Sequence, residues 1–239
     1  MENRKRIFIT FDMDWASEEV LKYWYDIIKK MDIKVTLNVT NVTKTLEVIK
    51  SDKRIELGIH PNFNKLLLND SKKIDYIQIL NEVKSIIPEA VTVRSHSLVC
   101  GSQLLTAFQQ IGLKKELNLY VPPTKGNVLK PWRHGGELQR IPFIFEDDLY
   151  MQYEEKYSIN YYLSNEFDME RVFNFHPIHI FLNTESLDRY EKSKIFNNNF
   201  SELKKYRNKS TECGTEVFLN KLVSEARLRE YEFEFIREL

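Results

Sequence analysis

The chain has 239 residues with 35 Lys+Arg against 35 Asp+Glu, a formal net charge of zero, so it lacks the basic excess that holds nucleic acid. A length in this range suits one domain, and 42% hydrophobic with 13% aromatic residues excludes a disordered or fibrous chain. With 7 glycines and neither G-x-G-x-x-G nor G-x-x-x-x-G-K-[ST], the usual dinucleotide and P-loop signatures are absent.

In chain order, Arg6–Phe11 is a β-rich run, and Val20, Trp24, Ile27, Ile28 and Met31 follow at helical spacing. Val35–Val39 and Ile55–Ile59 read as strands on either side of a short helix around Leu46–Ile49. Ile74, Ile77, Leu80, Val83 and Ile87 mark a helix stopped by Pro88. Val91–Val93 is a fourth strand, and the helix after it ends at Gly112. Glu116–Val121, Leu138–Phe145 and Val172–Phe175 are the later strands. From about Leu187 the chain turns charged and helical, with a final helix over Thr215–Arg229. Strands alternating with helical patterns predict an α/β fold on a parallel sheet.

The basic N-terminus leads into an apolar run only from Ile7 to Phe11, short of the 7–15 residues of a secretory signal. No stretch approaches the roughly 20 apolar residues of a membrane span. Cys100 and Cys213 form no disulfide framework and read as buried or idle thiols. These features predict a cytoplasmic protein; they leave its oligomeric state open.

The informative pattern lies just past the end of each strand. RIFITF leads into Asp12-Met13-Asp14-Trp15, RIELGI into His60-Pro61-Asn62-Phe63-Asn64, and AVTV into Arg94-Ser95-His96. IPFIF leads into Glu146-Asp147-Asp148, and VFNF into His176-Pro177-Ile178-His179. In a parallel barrel the C-terminal strand ends converge on one face, where active sites are built. Asp12 and Asp14, two apart, fit one metal ligand and one general base, unless one of them caps the next helix in competition with Ser17. His60 and Asn64 offer an imidazole and an amide oxygen for a metal, or belong to an ordinary Asn-Pro loop. Arg94 at a buried strand end requires a carboxylate, supplied by Asp147 or Asp148, in a catalytic or a purely structural pair. Pro177 disfavours a helix around His176 and His179; one of the two fits a general acid and the other a hydrogen-bond partner. The loop Pro131–Gly136, with Trp132 and His134, suits the lining of a groove.

The series TFDMDW, ELGIHPNFN, VRSHS, a late EDD and FNFHPIHI resembles the polysaccharide deacetylase family, carbohydrate esterase family 4 with its NodB homology domain, and within it the WbmS-like branch. The resemblance covers about Arg6 to Asn183. It implies a distorted (β/α) barrel with about seven parallel strands over residues 1–186, carrying 187–239 as a charged helical extension. It also implies metal-dependent removal of an acetyl group, N-acetyl first, from a sugar or glycan precursor of a surface polysaccharide such as O-antigen or capsule.

Carried over by residue, the resemblance makes Asp12 the catalytic base, Asp14 and His60 metal ligands, and His176 the acid that protonates the leaving group. Arg94 orients the base, with Asp147 or Asp148 as its partner; Asp148 joins the catalytic set. The family's second metal histidine is Asn64 here. The site therefore uses Asn64 as third ligand, recruits His96 or His179, or holds a harder ion than zinc or none. Trp15, His96, Trp132 and His179 are the expected sugar contacts. The implied cofactor is one divalent ion, zinc before manganese, cobalt or nickel. A metal-free allantoinase-like C–N hydrolase and a non-catalytic barrel that binds a glycan or a partner protein are the rival readings.

Overall fold

Along Arg6–Asp12 (β1) the side chains alternate: Ile7, Ile9 and Phe11 join the core beneath the helices, while Phe8, Thr10 and Asp12 enter the inside of a curled sheet. The computed structural model describes residues 4–67, 75–153 and 156–239. Its other strands are β2 (Val35–Val39), β3 (Ile55–Ile59), β4 (Thr92–Val93), β5 (Lys115–Tyr120), β6 (Val128–Leu129), β7 (Trp132–Arg133), β8 (Gln139–Phe143), β9 (Phe145–Glu146), β10 (Asp168–Met169), β11 (Arg171–Phe175) and β12 (Glu232–Phe233). The helices are α1 (Glu18–Met31), α2 (Lys44–Ile49), α3 (Asn64–Leu67), α4 (Tyr76–Ile86), α5 (Ser102–Gln110), α6 (Asp147–Gln152), α7 (Ile159–Tyr162), α8 (Pro177–Leu182), α9 (Leu187–Ser193), α10 (Phe200–Leu203) and α11 (Thr215–Leu228).

The main sheet runs β7-β8-β5-β4-β3-β2-β1-β11-β9, with β12 added to β1. Every pair in it is parallel except β7 with β8. Only Ile144 separates β8 from β9, and its N–H donates to Val172 O of β11 at 3.0 Å. The two ends of the strand order thus meet in one stretch of chain, and the sheet curls into a distorted barrel. The sheet has ten strands among the described residues; apart from the two-residue pieces β7, β9 and β12, seven (β1, β2, β3, β4, β5, β8 and β11) make its wall. The apolar interior holds Phe8, Leu117, Ile141, Phe143, Val172 and Ile236.

Helix α1 shows why the outer layer forms where it does. The Ser17 side chain accepts from Val20 N–H, Glu18 and Glu19 occupy the first turn, and Lys29 and Lys30 the last. Val20, Leu21, Trp24, Tyr25, Ile28 and Met31 form its buried face. Helix α4 starts after the Asp75 cap, so Ile74 of the expected helix falls outside the described residues.

Two features were not expected. The run read as one strand over Leu138–Phe145 is interrupted at Ile144, which turns from β5 towards β11. Strand β12 lies beside the first half of β1, pairing Arg6 with Glu232, whereas β2 pairs with the second half from Thr10 to Asp12. Beyond it Ile236 N–H donates to Thr36 Oγ1 at 3.3 Å and Arg237 N–H to Glu56 Oε2 at 3.2 Å. The segment thereby closes the N-terminal end of the barrel. Cys100 and Cys213 are free and exposed. Among the described residues no helix is long and apolar enough to cross a membrane.

Candidate active site

The site is assembled at the opposite end, where β1, β3, β4, β9 and β11 stop. After Asp12, Met13 N–H donates to Asn38 O at 3.0 Å, and the chain then turns through two left-handed residues, Asp14 (φ 44°) and Trp15 (φ 53°). Each such residue costs about 1–2 kcal/mol without a glycine, and the turn swings the Asp14 carboxylate over the barrel mouth. The loop after β4 does the same: Ser97 (φ 54°) and Leu98 (φ 55°) are left-handed, immediately after His96. His60 N–H donates to Val39 O at 2.8 Å and His96 N–H to Pro61 O at 2.9 Å, which ties the ends of β2, β3 and β4 together, and Trp15 N–H joins the β1 loop to them by donating to Thr40 Oγ1 at 3.1 Å.

The result is a cluster of Asp14, His60 and His96. Asp14 Oδ1 lies 2.9 Å from His60 Nε2 and 3.1 Å from His96 Nδ1, and the two ring nitrogens are 3.4 Å apart. Three electron-pair donors facing one point need a cation between them, a proton or a metal. Burial pushes the Asp14 carboxyl up, but hydrogen bonds from His60 and His96 outweigh it and hold it well below the usual range. One carboxylate and two imidazoles match the three protein ligands of a catalytic zinc site, so these residues fit a divalent ion.

Asp12 is buried beneath them. Its Oδ1 accepts from Asn38 Nδ2 at 2.8 Å and Arg94 Nη1 at 3.1 Å, and its Oδ2 from Asn174 Nδ2 at 2.8 Å. Burial raises its pKa, but Arg94, then His60 and His176, lower it further, so Asp12 is ionised. His60 Nδ1 stands 3.5 Å from Asp12 Oδ1, short of a hydrogen bond. Gly58 is required here: a Cβ on it would sit 2.4 Å from Asn38 Oδ1 and displace the amide that holds Asp12. Arg94 also donates to Leu117 O at 3.0 Å and Thr10 Oγ1 at 2.9 Å, and its guanidinium lies over Phe143.

On the facing wall, Asp147 Oδ1 lies 2.6 Å from His176 Nδ1, and its Oδ2 accepts from His176 N–H at 2.9 Å. Burial lowers the His176 pKa, but the charges of Asp147 and then Asp148 raise it well above the ordinary value, favouring the imidazolium. His176 Nε2 is 3.6 Å from Asp14 Oδ2, which aims it at the cluster. A second pair lies alongside: His179 Nε2 is 2.6 Å from Asp148 Oδ1, and His179 Nδ1 is 3.0 Å from Thr184 Oγ1.

Several expectations change. Arg94 pairs with Asp12, not with Asp147 or Asp148, because Asp12 at the end of β1 and Arg94 just after β4 both point into the barrel and meet across its interior, past β2 and β3. Asp147 and Asp148 open α6, where consecutive side chains diverge, so each takes a different histidine. Pro177 starts helix α8 instead of preventing one, since proline is suited to the first helical position. Asn64 Nδ2 donates to Ser97 Oγ at 3.2 Å, and His96 meets Asp14 and His60. Trp15 is exposed beside the His96 ring. Trp132 is not brought to the site: β7 folds back antiparallel on the start of β8, where Trp132 pairs with Arg140. Asn38, Asn174 and Thr10 carry no signal in the sequence because each lies inside a strand and not just past its end.

The model of the WbmS-like polysaccharide deacetylase family matches residues 9–194. The chain belongs to that family. A solved structure from Bordetella bronchiseptica, described as a candidate polysaccharide deacetylase involved in O-antigen biosynthesis (WbmS), is 38% identical, with a TM-score of 0.85 over 93% of this chain and 91% of that one. Two more distant deacetylase-fold structures share the architecture alone. The carbohydrate esterase family 4 domain of a xylanase from the hindgut metagenome of Trinervitermes trinervoides is 13% identical, with a TM-score of 0.51 over 99% of this chain and 89% of that one. The Bacillus cereus deacetylase is 15% identical, with a TM-score of 0.50 over 97% and 92%. No curated protein sequence matches the chain.

Proposed function

We propose that this deacetylase is metal-dependent and removes an acetyl group, N-acetyl first, from a sugar precursor of a surface polysaccharide. The observation that carries the reading is the meeting of Asp14, His60 and His96 between an ionised carboxylate, Asp12, and a protonated imidazole, His176. Asp14, His60 and His96 would hold the ion, with His96 in place of the expected Asn64. When bound, a divalent ion, zinc by its donor set, supplies the positive charge that polarises an acetyl carbonyl and acidifies the attacking water.

The chain's own residues handle the protons. Asp12, kept ionised by Arg94, Asn38 and Asn174, accepts the proton of the attacking water. His176, kept protonated by Asp147, donates to the departing nitrogen. The O-antigen role of the 38%-identical relative supports a surface-polysaccharide substrate, and action in the cytoplasm on a nucleotide- or lipid-linked precursor belongs to the same reading. Acetate released only from finished polymer would break that part.

The test is metal content by elemental mass spectrometry beside acetate release from UDP-N-acetylhexosamines and N-acetylated oligosaccharides. Wild type and Asn64→Ala are expected to bind about one equivalent; Asp14→Ala and His96→Ala are expected to bind none. Both of the latter should lose at least about 10²–10³-fold in rate, the cost of removing one oxyanion donor in other hydrolases. Full turnover in Asp14→Ala, or in metal-stripped protein, would sink the mechanism.

A further inference from the structure

Glu146 ends β9 in register with Asn174 of β11. Asn174 points into the barrel, where it bonds Thr10, Arg94 and Asp12, so Glu146 enters on the same face. The residue after it, Asp147, holds His176. Every other carboxylate of the site has a hydrogen-bonded partner: Asp12 has Asn38, Arg94 and Asn174, Asp14 has His60 and His96, Asp147 has His176, and Asp148 has His179. Glu146 Oε2 is enclosed and has none, although the residue as a whole is part-exposed at the barrel mouth.

A buried polar atom without a partner is rare and calls for an explanation, often an unfilled functional role. The charged groups acting on Glu146 are His176, Asp12, Arg94 and Asp147, and Tyr120 on β5 feels it as well. Burial pushes the Glu146 carboxyl up to about 8, so at neutral pH it carries a proton. A neutral carboxyl can donate as well as accept, which no ionised carboxylate of this site can do. Asn174 already spends its amide oxygen on Thr10 and Arg94, and its amide nitrogen on Asp12. The neutral Glu146 carboxyl thus finds no acceptor on Asn174, and the part of it that reaches the barrel mouth can offer its proton to something that arrives.

We propose that Glu146 binds the substrate, its carboxyl group giving a hydrogen bond to an oxygen of the sugar next to the acetyl group under attack. The proposal rests on the deacetylase reading. It makes Glu146 a specificity residue, separate from the ion ligands and from the Asp12 and His176 proton carriers.

The experiment uses metal-loaded wild type, Glu146→Gln and Glu146→Met, assayed on UDP-N-acetylglucosamine and N-acetylchito-oligosaccharides with metal content and thermal midpoint measured beside the kinetics. Glu146→Met, of similar length and without a hydrogen-bonding group, is expected to raise KM about tenfold with kcat held within about threefold. Its thermal midpoint should rise by about 2–4 °C, because an unpartnered buried group has been removed. Glu146→Gln, which keeps a neutral N–H donor, should stay within about threefold of wild type in both constants. Wild-type KM in Glu146→Met, a lowered thermal midpoint with kcat alone reduced, or a glutamine variant as impaired as the methionine one would each overturn the assignment. Absence of turnover in wild type itself would remove the deacetylase reading, and this proposal with it.

Discussion

The two ends of the barrel each bury a carboxylate, and they treat it in opposite ways. At the N-terminal end Glu56 accepts from Thr36 Oγ1 and Thr92 Oγ1, both at 2.7 Å, and from the Arg237 N–H, and the C-terminal segment covers it. Every partner there is neutral and satisfied. At the C-terminal end Asp12, Asp14, Arg94, His60 and His176 crowd together, and Asn38 Oδ1, His60 Nδ1, Arg94 Nη2 and Glu146 Oε2 are buried without hydrogen-bond partners. Fully matched polar groups stabilise a fold; unmatched ones persist where a ligand or a reaction completes them. Around Glu56 the wall is finished, Arg171 Nε at the start of β11 being the one unpartnered buried atom at that end among the described residues; at the other end four are left open for chemistry.

That contrast can be broken by substitution. Arg94→Ala should do most, because it leaves Asp12 buried and without its cation. Losing one member of a buried pair costs about 3–5 kcal/mol, to be read by denaturant unfolding, with acetate release falling in parallel. Unfolding close to wild type would mean that Asn38 and Asn174 suffice for Asp12.

Asp147→Asn comes next. His176 has its pKa raised, so its acid form persists from low pH up through the elevated value and is lost above it. Removing Asp147, the largest raising cause, moves that loss to lower pH. The alkaline limb of kcat/KM should shift down, with a rate loss of about 10²-fold at pH 8 and less at pH 6. An unmoved limb would assign the acid to another group.

Glu56→Ala should do least to catalysis and act on stability alone. Two threonine hydroxyls and one amide lose their acceptor, worth about 1–3 kcal/mol, and kcat should stay within about twofold. A large fall in kcat would mean that the two ends are coupled.

The strand ends carrying Asp12, Asp14, His60, Arg94 and His176 were legible because an apolar run followed by an isolated polar residue is a local pattern. Pairing was not. Arg94 and Asp12 are 82 residues apart, and only the strand order decides that they meet while Asp147 goes to His176. The placement of His96 depends on the left-handed turn at Ser97 and Leu98, which contains no glycine to announce it. Strand β12 is two residues long, too short for an alternation, and the residues after it, Ile236 and Arg237, are what anchor the segment, on Thr36 and Glu56.

The β12 closure also bears on how the protein is made. A polypeptide leaves the ribosome from its N-terminus, and contacts distant in sequence form late. The Thr36 hydroxyl and the Ile236 N–H are 200 residues apart, so β1 and β2 emerge long before the segment that seals them. Until then the barrel's lower rim offers unpaired strand edges to chaperones or to other nascent chains. Nascent protein truncated before Tyr231 should therefore remain protease-sensitive around β1 while the strands between are already paired.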